Sequence, residues 1–556
     1  MRRIPPRGSL IACCIFAACL FTVCAGLPVC ASEDNESSFT AVAVADNAMV
    51  VSCHGLATKA GIEILKAGGT AVDAFIAVTL VEYVMTPGAS SISGPLGLMV
   101  YDAQAGETHY LDAFFNQVIS PAGRWDPTNQ VAGKKILVPG APAGLYEAWK
   151  KFGKLDFSSL VAPAVKIAAE GFPLFYEYDL ILASREELLA QSDYGRSTFF
   201  NDGEIFQEGD VLVQPRLAET LAGYAEHGAE YMYTGAWGQS FVETVRELGG
   251  DISMLDMLLY YPVWKEPLTI DYRGYEIHAS APPAYGGIKT LMALKILENT
   301  DPTQLGHMSD SADALALMFR AARAVEYDYL LYYAANLDIP LFTDWIISEG
   351  HAQELWQNLD TGNAAQPPSA ARGSHSHHVI VIDSRGNIAS GTHTINAYPW
   401  GDGVFVGGVA LNNAAPINFF PMWNGRFINP LSTHIVFHDG EPYIADGVFG
   451  ASMYPADFQV ISNILDYDMG LEEAMEKPRL GMRQVDITTG ILSDMYMIDR
   501  RFPEEMITEM EEHGIYFTRE GYIDTGWCMF TVIDPDDGRI YGRPTIWYSN
   551  GLAEGY

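Results

Sequence analysis

The pattern of apolar and polar positions between residues 40 and 115 predicts strands alternating with helices. Residues 41–54, AVAVADNAMVVSCH, are rich in β-branched and small apolar residues and predict a strand. Residues 57–69 carry apolar side chains at helical spacing and end at Gly68-Gly69, a typical helix stop. Residues 96–114 read as two strands around a polar turn at Gly106, which is the pattern of a hairpin.

The rest of the chain divides into a helical middle and a strand-rich last third. Residues 140–355 are mainly helical in pattern, most clearly over 217–228 and 312–335. Residues 361–375, TGNAAQPPSAARGSH, have the composition of a surface loop. Apolar strand patterns such as VIVID follow it. Strand-rich ends around a helical middle predict sheets packed between helix layers, an α/β (α+β) fold.

Residues 1–31 have the pattern of a secretory signal peptide. Arg2, Arg3 and Arg7 precede an apolar run, and Val29-Cys30-Ala31 offers a small-residue cleavage site. Lipidation at Cys30 is the weaker alternative, because Val29 is a poor residue before a lipidated cysteine. We therefore expect cleavage after Ala31 and export to the periplasm or the medium, with no membrane span left in the mature chain.

Composition and charge exclude some classes of partner. The 556 residues are 49% hydrophobic and 18% charged, which is globular, and the formal net charge is −36. Loss of three arginines with the signal gives about −39 (−36 − 3), and such a field repels nucleic acid and anionic membrane.

Two cysteines of the seven remain after residue 31, namely Cys53 and Cys528. In an oxidising compartment they could form a disulfide that joins the two ends of the fold. Two separate buried thiols are the alternative, and spacing in sequence does not decide between them.

The motif GSHSHH at residues 373–378 allows three interpretations. His375, His377 and His378 could ligate a metal, although neighbouring residues on a strand point to opposite faces and no acidic or cysteine partner stands nearby. The motif could instead be a solvated polar loop. The third interpretation is a hydroxyl nucleophile at the head of a buried strand, and it depends on a family resemblance.

Four segments carry that resemblance, and they stand in the same order and spacing as in the family: residues 61–78, 138–174, 271–299 and 551–556. Together they resemble the γ-glutamyltransferase family of N-terminal nucleophile hydrolases over nearly the whole mature chain. The resemblance implies a four-layer αββα sandwich and self-cleavage of a precursor. It implies a heterodimer of the chain's own fragments, a large subunit 32–375 and a small subunit 376–556, with no cofactor.

The family's small subunit begins with a Thr-Thr-His motif, followed by a strand ending in Asp and a Gly-Asn turn. Counting back from Asp383 places that first threonine at Ser376 and the family's histidine at His378. The resemblance therefore implies cleavage between His375 and Ser376. The freed α-amino group would then serve as the base for the Ser376 hydroxyl. Serine in place of threonine is a departure from the family.

Further site residues are carried over from the same resemblance. Thr394 would orient the nucleophile, and Asn396 and Asn413 match positions that contact substrate. Backbone N–H groups of Gly450 and Ala451, in Phe449-Gly450-Ala451, match the family's oxyanion turn. Ser432 and Thr433 match a substrate-contacting serine pair, with ordinary strand-edge hydroxyls as the alternative.

Two departures concern the charged partners of a γ-glutamyl head. Phe114 stands where the family has an arginine for the α-carboxylate, and residues 414–417, Ala-Ala-Pro-Ile, stand where it has an acidic residue. Each lost contact would cost roughly 1–3 kcal/mol. The loss of these contacts predicts a substrate whose acyl group is less charged than γ-glutamyl. The alternative is that Phe114 is simply a core residue. The short lid segment 419–428 indicates an open cleft.

The sequence therefore predicts an exported, self-processing amidohydrolase or acylase that cleaves a small-molecule amide. One alternative is a true γ-glutamyl hydrolase or transpeptidase with other head-group contacts, such as Asn116, Gln117 or Asn418. The other is a catalytically inactive relative that binds a ligand.

Overall fold

The computed structural model describes residues 41–120, 124, 130–334, 339–359, 376–416, 425–450, 452–482, 496–520, 526–545 and 550–556. Side chains at 330–334, 339–341 and 520 are outside that description. So are the predicted signal peptide, the loop 361–375 with His375, and Ala451, Ile417 and Asn418. Among the described residues, no helix has the length and apolar character needed to cross a membrane.

Most strands are short, and the longer ones lie in the two central sheets. The strands are β1 Ala43–Ala45, β2 Met49–Ser52, β3 Leu96–Asp102, β4 Glu107–Ala113, β5 Phe172–Pro173, β6 Phe200–Asn201, β7 Glu204–Ile205, β8 Val211–Leu212, β9 Val263–Lys265, β10 Leu268–Tyr272, β11 Tyr275–Ala279, β12 Ser376–Ile382, β13 Ile388–Thr394, β14 Phe405–Val406, β15 Val409–Ala410, β16 Ser432–His438, β17 Glu441–Phe449, β18 Leu480–Met482, β19 Tyr496–Asp499, β20 Thr518–Glu520, β21 Trp527–Ile533, β22 Ile540–Arg543 and β23 Leu552–Gly555.

Helices fill the middle of the chain and flank the sheets. They are α1 Gly55–Lys66, α2 Ala71–Met85, α3 Ala132–Lys135, α4 Ala141–Phe152, α5 Phe157–Glu170, α6 Tyr176–Ala183, α7 Glu186–Leu189, α8 Asp193–Phe199, α9 Pro215–His227, α10 Ala229–Tyr233, α11 Ala236–Glu247, α12 Met254–Leu258, α13 Gly286–Leu297, α14 Ala312–Ala334, α15 Ile339–Ile346, α16 Glu349–Gln357, α17 Met453–Leu465, α18 Leu471–Glu476 and α19 Glu504–Glu512, with a 3₁₀ turn at Pro302–Leu305.

Two seven-stranded sheets form the centre of the fold. Sheet A has the order β1-β22-β21-β17-β16-β11-β10, and sheet B has the order β23-β2-β12-β13-β3-β4-β9. Strands β12 and β13 of sheet B pack against β17 of sheet A. Helices α1 and α2 cover the outer face of sheet B, while α13 and α17 cover sheet A. The order helix, sheet, sheet, helix is the four-layer αββα sandwich that the resemblance implies.

Two large apolar cores correspond to these layers. One lies around sheet B and includes the fully buried apolar face of α2, and the other lies between sheet A and helices α13, α14 and α17. Helix α2 is buried along its whole length and begins with a capping box between Thr70 and Asp73. It therefore lies directly behind the strands that carry the site.

The predicted hairpin at 96–114 is confirmed, as β3 and β4. The single strand expected at 41–54 is wrong, because it is two strands that belong to different sheets. The chain crosses from sheet A to sheet B at Asp46-Asn47, where the N–H groups of Asn47 and Ala48 both donate to the carbonyl of Tyr556. Apolar pattern alone did not show this crossing, since both halves are equally strand-like.

Candidate active site

Ser376 and Thr394 form the centre of the candidate site. Ser376 opens β12 and stands directly opposite Thr394, the last residue of β13. The Ser376 Oγ donates a hydrogen bond to Thr394 Oγ1 at 2.9 Å. Their relative exposures are 6% and 1%, so the pair is nearly sealed from solvent. The structure thus brings together the predicted nucleophile and the residue predicted to orient it.

The turn between β12 and β13 fixes this register. Asp383 Oδ1 accepts from the N–H groups of Arg385 and Asn387, at 2.9 and 3.2 Å. Its Oδ2 accepts from the Ala71 N–H at 2.9 Å, at the start of α2. Gly386 supplies the left-handed conformation that the turn needs, with φ +82°. A shift of one residue would turn Ser376 to the opposite face of the sheet.

Two backbone features hold Thr394. The N–H of Asn396 donates to Thr394 Oγ1 at 2.8 Å, and Asn396 has a left-handed backbone with φ +52°. Gly94 presses against the Thr394 carbonyl, so closely that a Cβ at Gly94 would lie 1.7 Å from that oxygen. Sequence reasoning missed Gly94; its place in the Gly-rich stretch SISGPLG was the available signal. Asn396, predicted to contact substrate, thus lies beside Thr394.

A row of polar side chains continues from Ser376 along the space between the sheets. His378 shares hydrogen bonds through Nδ1 with Thr392 Oγ1 at 2.7 Å and through Nε2 with Ser390 Oγ at 2.9 Å. Ser390 Oγ donates in turn to the Asp446 carbonyl of sheet A at 3.0 Å. Burial lowers the pKa of His378 to about 3, so its ring is neutral. His378 therefore joins the two sheets through neutral hydrogen bonds.

The opposite face of the same strands carries a separate polar cluster against α2. Glu82 Oε2 lies 2.7 Å from His393 Nε2 and 3.6 Å from His377 Nδ1, and Glu82 Oε1 accepts from the Cys53 N–H at 2.8 Å. Burial raises the pKa of Glu82 to about 7 and lowers that of His393 to about 3. The sequence analysis missed this cluster, although Glu82 is conspicuous in an otherwise apolar stretch of helix.

His377 and His378 consequently face opposite sides of sheet B, as strand geometry predicts. His377 contacts the residue that follows α2, with Nδ1 3.3 Å from Thr86 Oγ1, whereas His378 lies between the sheets. Consecutive histidines of this motif therefore do not converge on one ion. His375, the third ligand of that hypothesis, lies outside the described residues.

The predicted oxyanion turn follows β17, close to the start of β12. Phe449 ends β17, and its ring centroid is 6.4 Å from that of His377, the neighbour of Ser376. Gly450 has a φ of +83°, and a Cβ there would lie 2.8 Å from the Trp527 ring. Glycine is therefore required at this position by both backbone and space. Ala451 lies outside the described residues.

Ser432 and Thr433, predicted as a substrate-contacting pair, face different layers. Ser432 Oγ lies 3.2 Å from Thr290 Oγ1 of α13, in the helix layer outside sheet A. Thr433 pairs in register with Gly447, at which a Cβ would touch the His378 ring. Thr433 therefore faces the space between the sheets, where Ser376 lies. Ser432 does not, because successive side chains alternate across a strand.

Phe114 is fully buried in the core of sheet B. Its carbonyl accepts hydrogen bonds from the Tyr260 hydroxyl at 2.7 Å and from Arg426 Nη1 at 2.9 Å. Arg426 Nη1 also contacts the Tyr260 oxygen, and Arg426 Nη2 donates to the Tyr261 carbonyl at 2.6 Å. The structure favours the core alternative for Phe114. It also shows that the nearby guanidinium is engaged with backbone and Tyr260.

The segment that replaces the family's acidic residue belongs to a small apolar cluster. Its five buried members are Phe115, Leu137, Ala414, Ala415 and Phe427. Asn413 lies at the edge, where its Nδ2 donates to Asp402 Oδ1 at 2.8 Å. Asp402 is also paired with Lys135 at 3.2 Å. Asn413 is thus bound to the protein in the described structure, and its neighbours present methyl and phenyl groups.

Cys53 and Cys528 are free thiols, so the possible disulfide is not formed. Cys53 belongs to the core around sheet B, and Cys528, on β21, belongs to the core outside sheet A. The two cysteines are therefore separated by the layers of the sandwich. The alternative of two buried thiols is the one that the structure supports.

Comparisons with known proteins agree with this architecture. The glutathione hydrolase proenzyme of Escherichia coli (strain K12) is 28% identical over 551 residues, covering 92% of each chain. The acylase ACY 1 proenzyme of Pseudomonas sp. (strain SE83) is 28% identical over 532 residues, covering 90% of this chain and 92% of its own. The crystal structure of cephalosporin acylase from Bacillus halodurans matches in fold with a TM-score of 0.80, at 24% identity, over 94% of this chain and 98% of its own.

The family itself follows from a match over most of the chain. The family model described as Gamma-glutamyltranspeptidase matches residues 57–548. This match confirms the resemblance, and the structural match confirms the predicted fold class. The chain belongs to the γ-glutamyltranspeptidase family, and is an enzyme of the N-terminal nucleophile amidohydrolase type.

Proposed function

We propose that this protein is an exported, self-processing acylase whose nucleophile is Ser376. The observation that carries the proposal is the 2.9 Å hydrogen bond between Ser376 Oγ and Thr394 Oγ1 at the head of β12. Cleavage of the peptide bond between His375 and Ser376 would give subunits 32–375 and 376–556, which stay associated. Export is supported by the signal pattern in residues 1–31.

The proposed reaction uses the new α-amino group of Ser376 as base. That amine takes the hydroxyl proton while Oγ attacks the amide carbonyl, and the same proton passes to the leaving amine. N–H groups of Gly450 and Ala451 would hold the negative oxygen of the intermediate. Water, activated by the α-amino group, then cleaves the acyl-serine ester and restores Ser376. Thr394 fixes the position of Oγ through both half-reactions.

The proposed acyl group lacks the charged head of a γ-glutamyl compound. The names of the relatives do not decide this point, since the glutathione hydrolase and the acylase are equally similar to the chain. The side chains support it: Ala414 and Ala415 lie among Phe115, Leu137 and Phe427. Arg426, the cation nearest the Phe114 backbone, has its guanidinium bound to the protein. A zwitterionic head placed among these described side chains would lack charged partners, which costs roughly 1–3 kcal/mol for each charge.

A series of three anilides tests this specificity. γ-Glutamyl, glutaryl and butanoyl anilides share the scissile amide; the second lacks the amino group, and the third lacks both charges. We expect kcat/KM to rise at least about tenfold from the first to the third, which corresponds to about 1.4 kcal/mol. Ser376→Ala is the control for background hydrolysis.

The outcomes separate the alternatives. Highest activity on the γ-glutamyl anilide would establish a true γ-glutamyl hydrolase or transpeptidase and contradict the acylase proposal. A chain that is processed but inactive on all three anilides calls for bulkier acyl groups in the same assay. An unprocessed chain that hydrolyses none of them would identify a ligand-binding relative.

A further inference from the structure

A second buried polar cluster lies in the helix layer outside sheet A. It consists of His434 on β16, Asp446 on β17 and Asp457 on α17, and all three side chains are fully buried. His434 Nδ1 lies 2.8 Å from Asp446 Oδ1 and 3.8 Å from Asp457 Oδ2. One ligand atom from each residue lies within 4.8 Å of the other two. Three different elements thus direct nitrogen and oxygen atoms at one point.

The hydrogen bonding of this cluster is incomplete. Within the described part of the chain, both carboxylate oxygens of Asp457, Asp446 Oδ2 and His434 Nε2 lack a hydrogen-bond partner of normal geometry. The Ser432 hydroxyl is a neighbouring group that favours the Asp457 carboxylate, although it makes no hydrogen bond of normal geometry with it. Buried carboxylates in proteins nearly always have partners, because an unpaired one is costly. Among the described residues, the Asp457 carboxylate therefore lacks a donor of normal geometry.

The Glu82 cluster behind sheet B is a comparison in which both oxygens of the buried carboxyl group have partners. It too offers three convergent ligand atoms, from Cys53, Glu82 and His377. There, however, Glu82 Oε1 accepts from the Cys53 N–H at 2.8 Å, and Glu82 Oε2 lies 2.7 Å from His393 Nε2. Of these two carboxyl groups, Asp457 is the one whose oxygens lack a partner.

We propose that His434, Asp446 and Asp457 bind one divalent transition-metal ion. One imidazole nitrogen and two carboxylates are a donor set that Zn²⁺ and Mn²⁺ accept. Metal–ligand bonds of about 2.0–2.2 Å place neighbouring ligand atoms about 3–3.5 Å apart, so the observed spacings need only small side-chain movements. A divalent charge also balances the two carboxylates, which removes the cost of burying them unpaired.

Two of the proposed ligands flank the predicted oxyanion turn in sequence, one before it and one after it. Asp446 is three residues before Phe449, where β17 ends, and Asp457 is on the first turns of α17, which begins at Met453. An ion between them would tie the strand to the helix and fix the end of β17 at Phe449-Gly450. This consequence rests on the proposed function, whereas ion binding itself does not. The ion would act as a positioning element and would not touch substrate.

Metal content of the whole purified chain tests the proposal. The protein is produced separately in medium supplemented with Zn²⁺ or Mn²⁺, freed of loose metal on a chelating resin and analysed by mass spectrometry of the elements. We expect about one ion per chain in wild type with one of the two metals. Asp457→Asn and His434→Gln should each lower that value at least about fivefold. Glu82→Gln, the matched control in the other cluster, should leave it unchanged.

A Co²⁺-loaded wild-type protein gives an answer even where a variant fails to fold. Cobalt bound by nitrogen and oxygen ligands lacks the near-ultraviolet thiolate charge-transfer band that a site containing Cys53 would show. One bound Co²⁺ without that band supports the proposal. Wild type without stoichiometric metal, equal metal content in Asp457→Asn, or a thiolate band would each overturn it. Processing and turnover are not read in this test, so its failure leaves the proposed function standing.

Discussion

The reaction centre and the region expected to hold the acyl head differ in how their side chains are bound. At the proposed reaction centre, Ser376 is hydrogen-bonded to Thr394. His378, two residues further along β12, is hydrogen-bonded to Thr392, and the register of β12 and β13 sets both pairs. In the head region, Phe114 is core and Ala414 lies in an apolar cluster. The proposed chemistry therefore depends on backbone register, whereas the proposed specificity depends on a few side chains.

Phe114→Arg gives the largest expected effect and tests whether this position is core or pocket. A guanidinium in place of a fully buried ring would lack a partner, and we expect a loss of about 3–5 kcal/mol in unfolding free energy. Phe114→Leu, the control, should cost about 1 kcal/mol. Urea denaturation measures both. Near wild-type stability of Phe114→Arg, together with new γ-glutamyl activity, would show that the position faces substrate.

Thr394→Ala removes the acceptor of the Ser376 hydroxyl and of the Asn396 N–H. We expect turnover to fall about 10²–10³-fold, the usual consequence of losing one aligned group at a reacting oxygen. Thr394→Ser keeps a hydroxyl and should stay within about tenfold of wild type. Rates are divided by the cleaved fraction found by mass spectrometry. Equal rates for the alanine and serine variants would contradict an orienting role.

Gly94→Ala should lower stability by displacing the backbone at Thr394. Its Cβ would lie 1.7 Å from the Thr394 carbonyl oxygen, so backbone must move, at a cost near the upper end of about 1–3 kcal/mol for overpacking. Gly350→Ala is the matched control, since its Cβ would meet no atom within 4 Å. Thermal denaturation compares the two. An unaffected Gly94→Ala protein would mean that Thr394 is not held by this contact.

Glu82→Gln should change how stability depends on pH. Burial raises the pKa of Glu82 to about 7 from 4.5, so its bound proton stabilises the native state. That stabilisation is complete below about pH 4.5 and is lost as pH rises through about 7. Between pH 6 and pH 8, wild type should therefore lose about 1.4 kcal/mol relative to Glu82→Gln. Glu63→Gln, on an exposed position of α1, controls for the lost carboxyl group. Parallel curves would contradict a raised pKa.

Motifs that are contiguous in sequence could be predicted, and contacts between distant segments could not. Counting back from Asp383 along the family's motif placed the predicted nucleophile at Ser376, and one strand, β12, separates the two residues. The partnership of Glu82 with His393 joins residues far apart in sequence, and so does that of His434 with Asp457. Residue type marked Glu82, a carboxylate in a mostly apolar stretch of α2, but it did not identify His393 as the partner. Ser432 was assigned to the site by motif, and only the face of β16 shows that it points away.

The central claim is that Ser376 becomes an N-terminal nucleophile by cutting its own chain. Intact mass under denaturing conditions tests it most directly, on wild type, Ser376→Ala and the control Ser374→Ala. We predict two fragments meeting between His375 and Ser376 in wild type and in Ser374→Ala, and one uncut chain in Ser376→Ala. An intact wild-type chain, or a Ser376→Ala protein that is still cut at this bond, would contradict the account.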